Sequence, residues 1–201
     1  MRSIYRIVIF LIRAYMRVFF HYRIINKDKL KEVEGCIVAA NHISANDPPF
    51  IGSILPVEIN TLAKKELFKI PLFARVLRFF NAIPIKRGTI DRQALLEAEK
   101  KLIAGQSLLI FPEGTRKSVR VKAGIGMIAM HTGKSIIPVQ ISNSDKFWDC
   151  FLGRKRVIIT IGDKIELSDF KDLTDSKDDY RRIADHVMEK INELAYDNKN
   201  S

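Results

Sequence analysis

Alternation of short apolar runs with longer helical segments is the feature that most constrains how this chain can fold. Runs typical of buried strands occur at residues 36–40, 59–63, 82–85, 107–111, 135–141 and 157–162. Segments with helical periodicity or a helix-start signal lie between and after them, at 48 onward, 64–79, 90–104, 122–132 and 176–196. This alternation predicts one α/β domain over residues 26–201, with a mainly parallel central sheet flanked by helices.

The composition indicates a globular domain with an anionic partner. Hydrophobic residues make up 47% and charged residues 28% of the 201 positions, which excludes a disordered or collagen-like chain. The net charge of +11 favours nucleic acid, a phospholipid surface or a phosphorylated substrate as partner. Cys36 and Cys150 form no CxxC pair and indicate a reduced cytoplasmic setting, and four scattered histidines indicate no metal cluster.

Residues 1–25 predict an amphipathic helix that anchors the chain to a membrane surface. Its longest charge-free apolar run before Arg13 covers only residues 7–12, whereas a bilayer span needs about 20 apolar residues. On a helical wheel four arginines fall within roughly 60° of one another, namely Arg2, Arg6, Arg13 and Arg17. A narrow basic stripe on an apolar helix is typical of a segment in the membrane interface. The alternative is a core helix whose arginines face water.

Three loops at predicted strand ends carry the candidate chemistry, because sites in such sheets lie beyond the carboxyl ends of strands. In the first loop, NHISANDPPF, the Asp47 carboxylate could fold back onto His42 and fix its tautomer. The other ring nitrogen would then be available to take a proton from a hydroxyl. The alternative is an ordinary loop histidine and an Asp47 that caps a helix beginning at Pro48.

The other two loops contribute cations. FPEGTRK places Arg116 on a short turn with Gly114, where a guanidinium could bind phosphate. Glu113 could accept a hydrogen bond from a substrate hydroxyl or hold the arginine. IKRG places Lys86 and Arg87 at another strand end, a pattern that suggests an anion site. For both loops the alternative is a surface turn with solvated charges.

In sequence order these loops resemble the motif blocks of the glycerolipid acyltransferases, the family of bacterial 1-acyl-glycerol-3-phosphate acyltransferases. NHISAND is similar to the NH-x4-D signature, IPIKRG to the second block, FPEGTR to the third and IIPV to the fourth. The resemblance covers residues 41–139. It implies acyl transfer from a thioester, carried by acyl carrier protein (ACP) or coenzyme A, to the sn-2 hydroxyl of lysophosphatidic acid, giving phosphatidic acid. It implies no metal or organic cofactor.

The resemblance also implies roles for individual residues. His42 would be the general base and Asp47 its orienting partner, with Arg87 on the acceptor phosphate. The residues implied at the glycerol-phosphate end are Glu113, Gly114, Thr115 and Arg116. Pro138 would shape the site near the acyl chain, and Lys64 would lie near the developing oxyanion. The implied location is the cytoplasmic face of the cell membrane, with the enzyme bound peripherally.

Other functions stay open from the sequence alone. A sister acyltransferase would use glycerol-3-phosphate or another lysolipid as acceptor. A nucleic-acid-binding module would need basic residues interleaved with exposed aromatics on one face, whereas the cations here gather at strand ends. A non-catalytic membrane adaptor would keep its function after the substitution His42→Ala.

Overall fold

A seven-stranded sheet with helices on both faces organises the chain, of which a computed structural model describes residues 3–86, 88, 91–116 and 121–197. The strands are β1 (Arg23–Ile25), β2 (Ile37–Ala40), β3 (Ile59–Lys64), β4 (Ala82–Ile85), β5 (Ser107–Ile110), β6 (Ile136–Ser142) and β7 (Ile158–Ile161). The helices are α1 (Ser3–Phe20), α2 (Asp47–Ile54), α3 (Pro71–Phe79), α4 (Arg92–Ile103), α5 (Gly124–Thr132), α6 (Phe147–Phe151) and α7 (Lys177–Asp197).

The strand order is β1-β7-β6-β2-β5-β3-β4. Every neighbouring pair is parallel except β6 and β7, which are antiparallel. The predicted α/β class with a mainly parallel sheet is therefore confirmed. The central strands β2 and β5 are buried along their whole length, which explains why they appear in the sequence as continuous apolar runs rather than alternating ones.

Each face of the sheet carries its own apolar core, because successive side chains of a strand point to opposite sides. Val38 and Ala40 of β2 belong to a core with residues of α1, α2 and α6. Ile37 and Ala39 belong to the opposite core, with residues of α4, α5 and α7. The two cores enclose β2, so the loop that follows it leaves the sheet from a fixed position.

The amino-terminal helix is shorter than predicted. It ends at Phe20, and Arg23–Ile25, which the sequence analysis assigned to the helical segment, form strand β1 in parallel with β7. The Val157 amide donates to the Phe20 carbonyl at 3.0 Å, which joins the end of the helix to the segment before β7. A strand of three residues has no periodicity in the sequence, so only its pairing with β7 reveals it.

Helix α1 has two apolar sides, and only one of them faces the protein. Tyr5, Ile9, Met16 and Phe20 are buried. On the other side, five large apolar side chains are between 59% and 68% exposed: Ile4, Ile7, Phe10, Leu11 and Val18. No helix of the described residues is both long enough and apolar enough to cross a bilayer.

The arginines of α1 do not form a uniform solvent-facing stripe. Nε of Arg13 donates to the Ser53 carbonyl of α2 at 2.5 Å, whereas Arg6 and Arg17 are exposed. On a helical wheel with 100° per residue, these arginines lie between the buried side of the helix and its exposed apolar side. The cations therefore border the exposed apolar surface along one flank.

Candidate active site

Three loops meet at the carboxyl ends of the central strands. Ala39 of β2 pairs with Ile110 of β5, and Ala40 pairs with Val139 of β6. The loops that leave these strands carry His42, Glu113 and Ser144 respectively. Parallel register thus brings together side chains that lie far apart in the sequence, as expected for an open α/β sheet.

His42 and Asp47 form a buried pair within the first loop. Nδ1 of His42 lies 2.9 Å from Oδ2 of Asp47. His42 is 7% exposed and Asp47 is 0% exposed. Because an ionised carboxylate only accepts hydrogen bonds, Nδ1 carries the proton and Nε2 presents its lone pair. No other described residue bonds to Nε2, so this nitrogen can act as a base.

Three further donors hold the Asp47 carboxylate. The amides of Ile43 and Ser44 each donate to Oδ2 at 2.7 Å, and the hydroxyl of Ser144 donates to Oδ1 at 2.5 Å. The alternative of a helix-capping aspartate is wrong, because Asn46 is the cap residue and Asp47 is the first residue of α2. The carboxylate instead turns back into the loop and fixes the position of the imidazole.

Two residues that the sequence analysis did not select support the histidine. Asn41 accepts from the Ile141 amide at 2.7 Å and donates to the Ile141 carbonyl at 2.9 Å, so its side chain extends the pairing of β2 with β6. The ring of Phe111 stacks on the imidazole of His42 with a centroid separation of 4.3 Å. In the sequence, the only signals for these two residues are their positions: Asn41 directly follows β2, and Phe111 directly follows β5.

Glu113 connects the FPEGTR loop to the histidine loop. Its Oε2 accepts from the His42 amide at 3.1 Å, and the residue is 8% exposed. Burial raises the pKa of Glu113 above its ordinary value, while the hydrogen bond from the His42 amide acts in the opposite direction. The structure brings this carboxylate to the backbone beside the base.

The rest of the FPEGTR turn opens towards solvent. Gly114 has a φ of 68°, and its amide donates to the Phe111 carbonyl at 2.9 Å. Any residue with a side chain would be strained at this φ, and its Cβ atom would approach Cγ of Lys122 to 3.2 Å. Thr115 and Arg116 are exposed. Arg116 therefore extends from a turn whose other end is fixed beside His42.

The remaining predicted residues occupy different places. Arg87 lies outside the described residues. Lys64 is exposed at the carboxyl end of β3, opposite Ile85 of β4. Pro138 is buried within β6 and pairs with Ala39, so it lies inside the sheet rather than in a loop.

Neither metal ligation nor a thiol nucleophile is supported by the described part of the chain. No three His, Cys, Asp or Glu side chains come together there as a metal ion would require. Cys36 is buried, and its Sγ lies 3.1 Å from the Glu32 carbonyl. Burial raises the pKa of this thiol, which disfavours the reactive thiolate.

Two relatives of known name are similar to this chain in sequence. The chain is 29% identical over 175 residues to a 1-acyl-sn-glycerol-3-phosphate acyltransferase of Bacillus subtilis, covering 86% of this chain and 87% of that protein. It is 34% identical over 108 residues to a lyso-ornithine lipid O-acyltransferase of Pseudomonas aeruginosa, covering 51% and 41% respectively.

A solved structure and a family model extend the comparison. The crystal structure of the 1-acyl-sn-glycerophosphate (LPA) acyltransferase PlsC from Thermotoga maritima superposes with a TM-score of 0.63 at 27% identity. The superposition covers 94% of this chain and 83% of that one. The model of the family described as Acyltransferase matches residues 21–142, which include the loops that carry His42 and Glu113 but not Ser144. The chain therefore belongs to the acyltransferase family.

Proposed function

We propose that this chain transfers a fatty acyl group from a thioester to the sn-2 hydroxyl of lysophosphatidic acid, giving phosphatidic acid. The observation that carries the proposal is the buried His42–Asp47 pair, whose Nε2 has no partner among the described residues. Relatives named as lysophosphatidic acid acyltransferases support the choice of acceptor. The thioester is carried by ACP or by coenzyme A.

The proposed step is a direct displacement at the thioester carbonyl. Nε2 of His42 removes the proton of the acceptor hydroxyl while its oxygen attacks that carbon, forming a tetrahedral intermediate. The intermediate collapses with loss of the thiolate, which takes the proton back from the imidazolium. Asp47 stabilises the charged imidazole during this step. A positioned base of this kind contributes about 10^2–10^4 in rate, and the step requires no metal, organic cofactor or covalent enzyme intermediate.

The acceptor phosphate requires a cation at the mouth of the site. Arg116 is exposed on the turn that begins at Glu113, so it can reach a ligand that enters from outside. A guanidinium suits phosphate because it can donate two parallel hydrogen bonds. Arg87 is proposed as the second phosphate ligand, with Lys64 near the oxyanion and Pro138 near the acyl chain.

Helix α1 is proposed to hold the enzyme on the cytoplasmic face of the cell membrane. Its five exposed apolar side chains present a surface that water solvates poorly, bordered by exposed Arg6 and Arg17. Burial of one such side chain contributes about 1.5–3 kcal/mol. An interfacial helix of this type gives a lipid-modifying enzyme access to an acceptor that stays in the bilayer.

A second candidate is the acylation of a different lysolipid. The relative named as a lyso-ornithine lipid O-acyltransferase is 34% identical over 108 residues, so the acceptor varies among proteins similar to this one. An acceptor without phosphate would make no use of Arg116. The acceptor is therefore the point at which the two candidates differ.

The test is a turnover assay with the purified full chain and identified products. Lysophosphatidic acid, lyso-ornithine lipid and glycerol-3-phosphate are each offered with acyl-ACP and with acyl-CoA. We expect phosphatidic acid as the main product, with an increased KM for lysophosphatidic acid in Arg116→Ala and little change in the exposed control Arg181→Ala. Preferential turnover of lyso-ornithine lipid, or an unchanged KM in Arg116→Ala, would contradict this assignment of the acceptor.

A further inference from the structure

An open pocket of about 440 Å³ lies where the end of α1 meets the segment before β7. Its lining residues are Arg17, His21, Tyr22, Gly153, Lys155 and Arg156. Nζ of Lys155 lies 3.7 Å from the Asp149 carboxylate. In the described part of the chain, no carboxylate lies within 4.0 Å of the two arginines. The pocket therefore presents unneutralised positive charge to its contents.

Exposed apolar side chains also lie on α6 and at its carboxyl end, which directly precedes Gly153 of the pocket lining. Trp148 is 70% exposed, and Phe151 and Leu152 are also exposed. Helix α6 packs against the end of α1, where Phe19 stacks on Phe151 with a centroid separation of 5.8 Å. Tryptophan and tyrosine are enriched at the boundary between the apolar part of a membrane and water. Cations beside such a residue lie at the level of the lipid phosphates.

The pocket and His42 lie at the same edge of the sheet. Ile158, the first residue of β7, pairs with Ser142 at the carboxyl end of β6 and with Arg23 at the start of β1. Tyr22 directly precedes β1, and Arg156 lies two residues before the start of β7. Two to three strand spacings, roughly 10–15 Å, separate this position from the end of β2. A ligand in the pocket is therefore distinct from an acceptor at His42.

We infer that this pocket binds the phosphate headgroup of an anionic phospholipid of the membrane, at a site separate from the acceptor site. The inference rests on the proposed membrane contact of α1. The cations of the pocket favour an anion, and Arg17 also borders the exposed apolar surface of α1, which favours an anion that belongs to a bilayer. An acidic protein such as ACP would neutralise the cations but leave the apolar side chains of α1 and α6 in water.

The chain contains a built-in probe, since Trp148 is its single tryptophan. Its fluorescence is recorded while the full chain is titrated with vesicles of phosphatidylcholine containing phosphatidylglycerol, and with vesicles of phosphatidylcholine alone. The test variant is Lys155→Gln/Arg156→Gln, which removes two exposed pocket cations that lie outside α1. The control Lys177→Gln/Arg181→Gln removes the same charge from exposed positions of α7, which packs on the opposite face of the sheet.

We expect a blue shift of Trp148 with anionic vesicles and much weaker binding to neutral ones. Loss of two headgroup-level cations should weaken binding to anionic vesicles by roughly 25-fold, whereas the control should change it less than about twofold. Equal weakening in both double variants would show a general effect of net charge and overturn the inference. It would also be overturned if Lys155→Gln/Arg156→Gln lost binding to ACP while binding vesicles normally.

A second readout separates this inference from the proposed reaction. Turnover of a water-soluble, short-chain lysophosphatidic acid should be unaffected in Lys155→Gln/Arg156→Gln, because the pocket does not hold the acceptor. His42→Ala should lose this turnover and bind anionic vesicles like the wild type. Loss of soluble-substrate turnover in the double variant would assign the pocket to the acceptor and contradict the inference.

Discussion

The imidazoles of His42 and His131 lie at the same distance from a carboxylate, yet only His42 has a ring nitrogen that is available to act as a base. Nδ1 of His42 lies 2.9 Å from Asp47, and Nδ1 of His131 lies 2.9 Å from Glu99. Nε2 of His131 lies 3.2 Å from the hydroxyl of Tyr180, whereas Nε2 of His42 has no partner among the described residues. The second nitrogen, rather than the carboxylate, distinguishes the two pairs.

The two histidine–carboxylate pairs also differ in burial and in the elements that surround them. The His42 pair is buried at the carboxyl ends of parallel strands, with four donors on Asp47. The His131 pair joins helices α4 and α5, and the His131 side chain is 37% exposed. The hydrogen bond of Tyr180 to Asp175 raises the pKa of Tyr180 to about 12, so this hydroxyl stays protonated. The His131 pair therefore links two helices, whereas the His42 pair orients a base.

The largest expected effect comes from removing His42, with the removal of His131 as the matched comparison. His42→Ala should lower kcat by about 10^2–10^4-fold, because the proton of the acceptor hydroxyl then has no base. His131→Ala should leave kcat within about twofold and instead lower the midpoint of thermal unfolding. Steady-state assays and thermal melts of both variants check this contrast. Comparable activity losses in the two variants would remove the distinction between the pairs.

Neutralising the two carboxylate partners, Asp47 and Glu99, should also affect kcat very differently, although by less than removing His42 does. Asp47→Asn keeps the size of the side chain but no longer fixes the His42 tautomer or stabilises the imidazolium, so kcat should fall by about 10^2-fold or more. Glu99→Gln should leave the pH profile of kcat unchanged. An unaltered pH profile in Asp47→Asn would show that Asp47 does not act through the imidazole.

The serine beside Asp47 provides an intermediate test. Ser144→Ala removes the donor to Oδ1 and should lower the free energy of unfolding by about 1.5–3 kcal/mol, since the lost hydrogen bond involves a charged group. It should also lower kcat, by less than Asp47→Asn does. Ser53, equally buried but bonded to the Phe50 carbonyl within α2, provides the matched control. In Ser53→Ala, denaturant titration should show a lower free energy of unfolding, while kcat should stay unchanged.

The smallest effect concerns Glu113 and its dependence on pH. Because burial raises the pKa of Glu113, its ionisation disfavours the folded state, and this cost grows as pH rises above the ordinary value of 4.5. Glu113→Gln keeps an acceptor for the His42 amide without the charge. We expect this variant to gain stability relative to the wild type as pH rises from acidic to neutral, as measured by denaturant unfolding. A relative loss over that range would contradict the raised pKa.

Much of the fold could be predicted because its signals are local. Helix α7 repeats apolar residues at helical spacing and was placed at 176–196, against the observed Lys177–Asp197. Strand β5 is a continuous apolar run and was placed at 107–111, against Ser107–Ile110. Strand β1 and helix α6 were missed, since three and five residues are too short for a periodic signal.

The site was predicted only in part. The motif of the first loop indicated His42 and Asp47, and their contact is observed. Ser144 was missed because it lies 97 residues from Asp47 in the chain and reaches it only through the pairing of β6 with β2. The arginines of α1 were predicted to face one way, but Arg13 donates to α2, a contact that no helical wheel contains.

The sequence by itself determined the order along the chain of the longer strands and helices and the residues that the loops after β2 and β5 carry, because burial imposes a period on neighbouring residues. Tertiary structure decided which polar groups meet. It left Nε2 of His42 without a described partner and engaged Nε2 of His131 with Tyr180. It also buried one side of α1 and left the other apolar side exposed. These outcomes depend on contacts between distant segments, which local periodicity does not encode.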